Sequence, residues 1–435
     1  MKSNIKFRKI INDLKRRPED AAKDLNVSKT KIDNILAGKE SIDFDLMQKA
    51  VKIWPVNYSD FFYIEDDTSD GFKIFKNSES NTSQRTMHRN GKPYYLYKDT
   101  VMSKISPFRP EWIQQLTIVD DLNPENEKVK FNNGHFLHQF TYFIGPVNFY
   151  YMDGKKKKVA PMNTGDSMYI SPYVPHTFTT RKNPENKLGH ILALTYSDKV
   201  DSESLNELTA IGYDLVKKFK LNLNNEFEAF KSVLNYHMKM SSLTNENFIE
   251  RENFDIEKII RRNSLPNIEE LKEISKILNI NIRDLLPPIK EHSIKIKKYK
   301  DNLKWNYPSN KEKFYNFVEL TNLPQLPTSK AYELNVISYK ENNISFEIPS
   351  HQYIYNIGDT DCIIKINEKI NKNFEPGDSI YIKPNLKHKF IKKSKLLVLR
   401  IGGKISGDIL NQLSMISEDN LKRTIDDNLP WFNIN

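Results

Sequence analysis

Cysteine is nearly absent from this chain of 435 residues, in which Cys362 is the only one. A single cysteine excludes an intramolecular disulfide and a thiolate metal cluster, so any bound metal must be held by nitrogen and oxygen atoms. Long apolar runs are absent as well: the basic N-terminus lacks an apolar run of signal-peptide length, and no later stretch approaches the roughly 18 residues that span a bilayer. We therefore expect a cytoplasmic protein without a membrane partner.

Apolar residues make up 38% of the chain and aromatic residues 11%, which is enough for packed interiors. A chain of this length is too long for one ordinary core and should divide into two or more domains. The net charge of +10 would suit nucleic acid, a membrane surface or a small anion equally well, so charge alone selects none of these partners.

Internal repeats are the most informative feature of the sequence. The segment GDSMYISPYVPHTF at 165–178 recurs as GDSIYIKPNLKHKF at 377–390, and HQFTYFIG at 138–145 recurs as HQYIYNIG at 351–358. Around these repeats, short alternating runs rich in Tyr, Phe, Ile and Val are separated by Gly, Pro, Asn and Asp, a pattern typical of an antiparallel barrel or sandwich. Each such region follows a helical pattern.

The predicted fold is therefore mixed α and β, with two tandem jelly-roll-like barrels, each preceded by a helix-turn-helix-like module. The barrels resemble cupins in the G-D-x-x-x-x-x-P-x-x-x-H spacing at 165–176. We predict the following domains: a helical module at 1–63, a first barrel with the metal site at 64–200, a second helical module at 201–290 and a second, degenerate barrel at 291–435.

The first helical module has a turn at 26–28, with Ser28 as the expected N-cap of a second helix that ends near Gly38. This spacing is similar to the helix-turn-helix of small repressors. The second copy lacks a clear turn, and the recognition positions offer few Arg, Asn or Gln side chains to read base edges. The pattern favours a role in scaffolding or oligomerisation over DNA binding.

A candidate metal site lies in the first predicted barrel. GHFLHQF supplies His135, His138 and Gln139, and His176 follows in GDSMYISPYVPHTF. His135 and Gln139 are four residues apart and share a face of a regular strand, whereas His138 points the other way. The G-D-x-x-x-x-x-P-x-x-x-H spacing is similar to the second cupin motif, in which the histidine is a ligand. Two histidines and one oxygen donor suit iron(II) and leave positions open for substrate and dioxygen; for Gln139, a hydrogen bond to a ligand is the alternative role.

The second repeat serves as an internal control. Ile348 stands where the first repeat has His135, while Gln352 and His388 match Gln139 and His176. Because one imidazole is missing, we expect the second barrel to be structural.

The whole arrangement resembles the phosphonate-processing non-haem iron oxygenases, a family that includes hydroxyethylphosphonate dioxygenase, methylphosphonate synthase and, more distantly, hydroxypropylphosphonate epoxidase. The resemblance implies that an Arg and a Tyr eight residues apart, here Arg89 and Tyr97, hold the phosphonate. It also implies phosphonate contacts for Asn132 and Asn133 in NNGHF. A lysine from the helical module of a neighbouring subunit completes the family's pocket; Lys15 is the best match, which implies a homo-oligomer.

The resemblance also discriminates between family members. The dioxygenase has a glutamate ligand six residues before the second histidine, and that position here is Ile170. With Gln139 as the nearest replacement, the pattern is that of methylphosphonate synthase. It implies cleavage of the carbon–carbon bond of 2-hydroxyethylphosphonate to methylphosphonate and carbon dioxide, using Fe(II) and O2 without 2-oxoglutarate.

Three alternatives stay open at this point. The same substrate could give hydroxymethylphosphonate and formate. The chain could instead be a transcriptional regulator in which a cupin senses a ligand and the helix-turn-helix binds DNA, or a cupin-type sugar-phosphate isomerase, which would need no dioxygen.

Overall fold

The structure is a computed structural model that describes residues 3–106, 108–197, 200–288, 293–337, 344–405, 407–426 and 429–431. Its first half contains the strands β1 (Phe72–Phe75), β2 (Arg85–Arg89), β3 (Lys92–Asp99), β4 (Arg109–Gln115), β5 (Ile118–Val119), β6 (His138–Ile144), β7 (Val147–Asp153), β8 (Lys156–Met162), β9 (Ser167–Ile170), β10 (His176–Arg181) and β11 (His190–Tyr196). Its second half contains β12 (Ile294–Lys297), β13 (Lys304–Pro308), β14 (Lys313–Glu319), β15 (Ser329–Val336), β16 (His351–Asn356), β17 (Cys362–Ile366), β18 (Ile370–Phe374), β19 (Ser379–Ile382), β20 (His388–Ile391) and β21 (Ser394–Ile401).

Most helices lie before, between or after the strand-rich regions, and one lies between β1 and β2. They are α1 (Ser3–Asp13), α2 (Pro18–Asp24), α3 (Lys29–Leu36), α4 (Phe44–Ile53), α5 (Asn77–Thr82), α6 (Ser202–Ile211), α7 (Tyr213–Val216), α8 (Glu226–Met240), α9 (Asn245–Glu252), α10 (Ile256–Arg262), α11 (Ile268–Leu278), α12 (Asp408–Met415) and α13 (Glu418–Asp426). Short 3-10 helices lie at Tyr58–Phe61, Lys217–Phe219, Ile282–Leu285 and Tyr299–Asp301. In the described part of the chain, no helix is long and apolar enough to cross a membrane.

The first helical module has its own core. The Ser28 hydroxyl accepts a hydrogen bond from the Lys31 amide and caps α3, as the sequence predicts, and Gly38 follows that helix with a φ of +71°. A side chain of this kind at the N-cap stabilises a helix by about 1 kcal/mol. The apolar faces of α1 to α4 bury Phe7, Ile32 and Trp54 in one cluster. A second, separate cluster joins α8 to α11.

In the described part of the chain, four sheets form two sandwiches, which pack against each other through their seven-stranded sheets. The sheet β12-β9-β6-β11-β4-β3-β2 packs against β5-β10-β7-β8, and the sheet β1-β19-β16-β21-β15-β14-β13 packs against β18-β17-β20. A third apolar cluster, which includes Tyr142 and Tyr355, lies between the two seven-stranded sheets. The predicted mixed α and β class is therefore confirmed, and the two sequence repeats form equivalent strands, β6 and β16, β9 and β19, and β10 and β20.

The two sandwiches exchange strands. β12, which begins the second strand-rich region, pairs with β9 of the first sandwich, and β1 pairs with β19 of the second. Equivalent ion pairs fix both crossings: Lys298 lies 3.0 Å from Asp166, and Lys76 lies 2.7 Å from Asp378. Both carboxylates are buried. The predicted stretches 64–200 and 291–435 thus each contribute one strand to the sheet of the other: β1 pairs in the second sandwich and β12 in the first.

Candidate functional site

His135 and Gln139 meet at the start of β6. The Nε2 atom of His135 lies 2.9 Å from Oε1 of Gln139. The preceding Gly134 has a φ of +73°, and an added Cβ there would lie 2.6 Å from the carbonyl carbon of Tyr173, so this loop requires glycine. Gln139 is 4% exposed, and its amide nitrogen donates to the Thr141 hydroxyl at 2.8 Å. That bond turns the amide oxygen toward His135.

His176 begins β10, in the opposing sheet, and faces His135. The two imidazole rings lie 5.2 Å apart at nearly right angles. His176 is 4% exposed, and burial lowers its pKa to about 4; the hydrogen bond to Val174 opposes this shift, whereas His135 and Arg89 add to it. The imidazole is therefore neutral at physiological pH, as a metal ligand must be.

The hydrogen bonds of both histidines fix the tautomer that binds metals. Nδ1 of His135 lies 2.8 Å from the Leu137 carbonyl oxygen, and Nδ1 of His176 lies 2.8 Å from that of Val174. Because a carbonyl can only accept, each Nδ1 carries the proton and each Nε2 presents a lone pair. The Nε2 of His135 and the Oε1 of Gln139 are then two acceptors at hydrogen-bond distance, an arrangement that a shared cation stabilises. The residues present thus fit a metal ion.

The oxygen donor of this set is an amide. Gln139 on β6 and Ile170 on β9 are directly opposite each other in the antiparallel register, so their side chains share a face. Ile170 is fully buried and offers no ligand atom. In the described part of the chain, no three His, Cys, Asp or Glu side chains lie close enough to hold a metal ion.

His138 lies on the other face of β6. Its Nδ1 is 2.6 Å from the Tyr169 hydroxyl, and its ring stacks on those of Tyr169 and Tyr196 in the core between the two large sheets. Strand alternation predicts this position, on the face of β6 opposite to Gln139.

Arg89 and Asn132 adjoin His176. The Asn132 side-chain oxygen accepts from the backbone amides of His176 and Gly134, which leaves its amide nitrogen as a donor 3.3 Å from Nε2 of His176. The Arg89 guanidinium donates to the backbone carbonyl oxygen of Lys130 and, at 3.1 Å, to the Thr177 hydroxyl. These contacts bring positive charge and an amide donor beside the histidine.

Tyr97 lies close enough to Arg89 to be affected by its charge. Burial raises the pKa of Tyr97 to about 12, Glu111 adds to the rise, and Arg89 and Arg85 oppose it. The hydroxyl therefore stays protonated at neutral pH and can donate a hydrogen bond. Its ring stacks edge-on against Tyr95 at 5.9 Å.

Lys15 and Asn133 are both exposed. Lys15 follows α1 with a φ of +52°, within the first helical module. Among the described residues of one chain, no hydrogen bond or ion pair joins either side chain to the two histidines.

Several residues around the site were not predicted. The Thr177 hydroxyl oxygen accepts a hydrogen bond from Arg89 and lies 3.2 Å from the Tyr94 hydroxyl and 2.8 Å from the Tyr95 hydroxyl. Thr141 orients Gln139. Thr177 follows His176 directly, but nothing in the sequence indicates that a hydroxyl at that position collects three partners from distant strands.

A β-sandwich with two histidines in the metal-binding tautomer and an amide oxygen beside them defines the class: a metal-dependent protein with nitrogen and oxygen ligands. No protein-family model matches the chain. The chain is 46% identical over 440 residues to methylphosphonate synthase of Nitrosopumilus maritimus (strain SCM1), covering 99% of this chain and 96% of that protein. It therefore belongs to the methylphosphonate synthase family, and the resemblance to phosphonate-processing oxygenases is confirmed.

Solved structures agree with this assignment. Streptomyces albus hydroxyethylphosphonate dioxygenase with 2-hydroxyethylphosphonate and Fe(II) bound superposes with a TM-score of 0.93 at 30% identity, covering 99% of this chain and 98% of that one. PhpD with cadmium and hydroxyethylphosphonate superposes with a TM-score of 0.76 at 16% identity, which shows a shared fold.

Proposed function

We propose that this chain is an iron(II)- and dioxygen-dependent oxygenase that cleaves the carbon–carbon bond of 2-hydroxyethylphosphonate to give methylphosphonate and carbon dioxide. The pairing of Gln139 with Ile170 carries the proposal, since the amide takes the place of the carboxylate expected in the dioxygenase. The similarity to methylphosphonate synthase over nearly the whole chain supports it. No 2-oxoglutarate is needed, because the substrate supplies all the electrons.

His135, Gln139 and His176 would hold the metal. Iron(II) would relay electrons from the substrate to dioxygen and would act as a Lewis acid toward the hydroxyl and phosphonate oxygens of the substrate. Thr141 holds the Gln139 oxygen toward the metal position, and the carbonyls of Leu137 and Val174 hold both imidazoles in the ligating tautomer. Ile170, directly opposite Gln139, is fully buried and forms an apolar surface beside the amide.

The phosphonate would bind beside His176. Arg89 supplies charge, the Tyr97 hydroxyl and the Asn132 amide nitrogen supply hydrogen bonds, and Asn133 supplies a further polar contact at the rim. Donors of this kind suit a group that carries up to two negative charges. The Asn132 amide nitrogen lies 3.3 Å from Nε2 of His176. A phosphonate bound to that amide would therefore lie within reach of a metal ion held by His176.

Phosphorus NMR tests the proposed reaction directly. The protein is loaded with iron(II) without air, then given 2-hydroxyethylphosphonate and dioxygen but no 2-oxoglutarate, with metal-free protein as the control. Methylphosphonate is the expected product. Unchanged substrate, or turnover only with 2-oxoglutarate, would overturn the proposal.

Hydroxymethylphosphonate with formate is the second candidate product pair. The superposition on the Streptomyces albus dioxygenase, with its substrate and Fe(II), favours it. Ile170 argues against it, and the same NMR spectrum separates the two products.

For the fold, we propose that the sandwiches are cupin barrels and the helical modules are of the helix-turn-helix type, with the limits 1–63, 64–200, 201–290 and 291–435. A cytoplasmic location stays a prediction, which cell fractionation tests.

We also propose a homo-oligomer in which Lys15 reaches the pocket of a neighbouring subunit; its exposure on the helical module supports this. Mixing inactive Lys15→Ala subunits with inactive His176→Ala subunits should restore part of the activity, because some mixed pockets then have both groups intact. A lysine acting within its own subunit predicts no recovery.

A further inference from the structure

Three polar side chains face the interior of the second sandwich: Gln352, His388 and Arg400. Gln352 on β16 and Arg400 on β21 are directly opposite each other, so they point to the same side. Strand alternation puts Arg400 on the face of Val398, and His388 on the face of Phe390. Both of these apolar residues belong to the core between the two sheets of this sandwich.

These side chains carry polar atoms with no partner. Gln352 and His388 are each 1% exposed. Within the described residues, both amide atoms of Gln352, Nε2 of His388 and Nε of Arg400 make no hydrogen bond. The Leu386 carbonyl accepts from Nδ1 of His388 at 2.8 Å, so Nε2 presents a lone pair. Buried polar groups are rarely left unsatisfied, and their concentration at one place points to a ligand.

The second sandwich has a positive charge at the position where the first has a neutral side chain. Opposite Gln139 the first sandwich has Thr195, whereas opposite Gln352 the second has Arg400. The Arg400 guanidinium lies 5.1 Å from the ring centre of Tyr332, and in the described part of the chain it forms no ion pair with a carboxylate. A half-buried cation of this kind attracts an anion and repels a metal ion.

We propose that the interior of the second sandwich binds a small oxyanion that retains one hydroxyl group, such as bicarbonate or protonated phosphate. Nε–H of Arg400 and the Gln352 amide donate to the oxygens of the anion, and its hydroxyl donates to Nε2 of His388. The repeat thus keeps two of the three ligand positions and supplies the positive charge from its own Arg400.

The test uses the full chain with His135→Ala, His176→Ala and Arg89→Met, which removes the metal ligands of the first site and the arginine of its phosphonate pocket. Binding is measured by isothermal titration calorimetry at constant ionic strength with sodium bicarbonate, and separately with sodium phosphate. At least one of the two anions should bind at one saturable site. Sodium chloride serves as the blank. Adding Arg400→Met should weaken binding at least tenfold. Adding Lys389→Met instead removes a neighbouring positive charge that pairs with Glu368 at 3.0 Å, and should leave binding unchanged.

Gln352→Leu provides a second variant should Arg400→Met not fold, and it should weaken binding in the same way. Absence of saturable binding of either anion would overturn the proposal and assign the unpartnered groups to water. Equal binding by the Arg400→Met or Gln352→Leu chain and its parent would overturn it as well, since the anion would then bind elsewhere.

Discussion

Gln139 and Ile170 stand opposite each other on neighbouring strands. In the proposed iron site, this register explains how a residue of β6 can provide the oxygen donor in place of a residue of β9 without a change in the position of the metal. Side chains at directly opposed positions have Cβ atoms about 5 Å apart and point the same way. A donor on β6 can therefore serve the place that a donor on β9 would serve. The buried Ile170 then fills the remaining volume without adding charge.

Removing the amide tests this explanation. Gln139→Ala should lower turnover about 100-fold or more, because even residues that only orient a ligand contribute 10- to 100-fold. Iron per chain and turnover are measured together. Thr141→Val, which leaves the amide in place but removes the bond that turns it, should cost about tenfold. Unchanged turnover and iron content in Gln139→Ala would exclude the amide as a ligand.

His351 in the second sandwich makes the stability of the chain depend on pH. Burial lowers its pKa to about 4, while Nδ1 lies 2.6 Å from the Tyr381 hydroxyl. An unfolded histidine titrates near 6.5, so as the pH falls below that value the unfolded chain takes up the proton first and folding weakens until about pH 4. The loss is on the order of 3 kcal/mol.

The measurement is chemical denaturation of the metal-free protein between pH 7 and 4, compared with His351→Asn. Asparagine can accept a hydrogen bond from the Tyr381 hydroxyl but does not titrate. The unfolding free energy of the variant should therefore depend less steeply on pH. Equal slopes for both proteins would contradict the assignment.

Residue-level prediction from sequence succeeded where it depended on local alternation. The four-residue spacing of His135 and Gln139 placed them together, and the odd spacing of His138 placed it in the opposite core. Asn132 beside His176 depends on a loop meeting a distant strand. Such contacts between remote segments are decided by tertiary packing and have no local pattern.

At the scale of elements, β12 connects the second half of the chain to the metal site. It pairs with β9, with Ile294 opposite Ile170, and β9 pairs with β6, which carries Gln139. A strand that follows the second helical module thus supports, through β9, the strand that carries the Gln139 amide. The sequence predicted the strands but could not assign β12 to the first sheet, since a short alternating run fits either edge.

The duplicated ion pairs allow a matched test of that connection. Lys298→Met and Lys76→Met each remove the partner of a buried carboxylate, Asp166 and Asp378, which also accept backbone amides. Each change should cost about 1–3 kcal/mol of unfolding free energy. Only Lys298→Met should also lower iron affinity and turnover, because only β12 borders the site. Equal effects of both variants on iron affinity would contradict this role.

At the scale of the molecule, the two sandwiches are joined through a buried carboxylate. Glu333 is fully buried and accepts from Tyr142 at 2.7 Å and Tyr299 at 3.1 Å, with Lys395 at 3.0 Å. Tyr142 belongs to β6, the strand of Gln139. Strand exchange and this network tie the two sandwiches together, because the first sheet takes β12 from the second half of the chain and its Tyr142 bonds to Glu333.

The second sandwich also shows how closely the repeat preserves the geometry of the metal site. The Ile348 carbonyl accepts from the Asn385 amide at 2.8 Å, as the His135 carbonyl accepts from that of Tyr173 at 2.7 Å. Ile348 therefore occupies the place of His135. The sites differ in this isoleucine, in Arg400 in the place of Thr195, and in Ile354 in the place of Thr141.

Restoring the histidine alone should not restore a metal site. In Ile348→His the guanidinium of Arg400 still repels a divalent cation at low dielectric, so the chain should keep about one iron ion after anaerobic loading. Ile348→His with Arg400→Thr should hold about two, measured by elemental analysis against protein concentration. Two ions in Ile348→His alone would remove Arg400 as the barrier, whereas one ion in the double variant would mean that the imidazole at 348 does not reach the place that His135 reaches in the first sandwich.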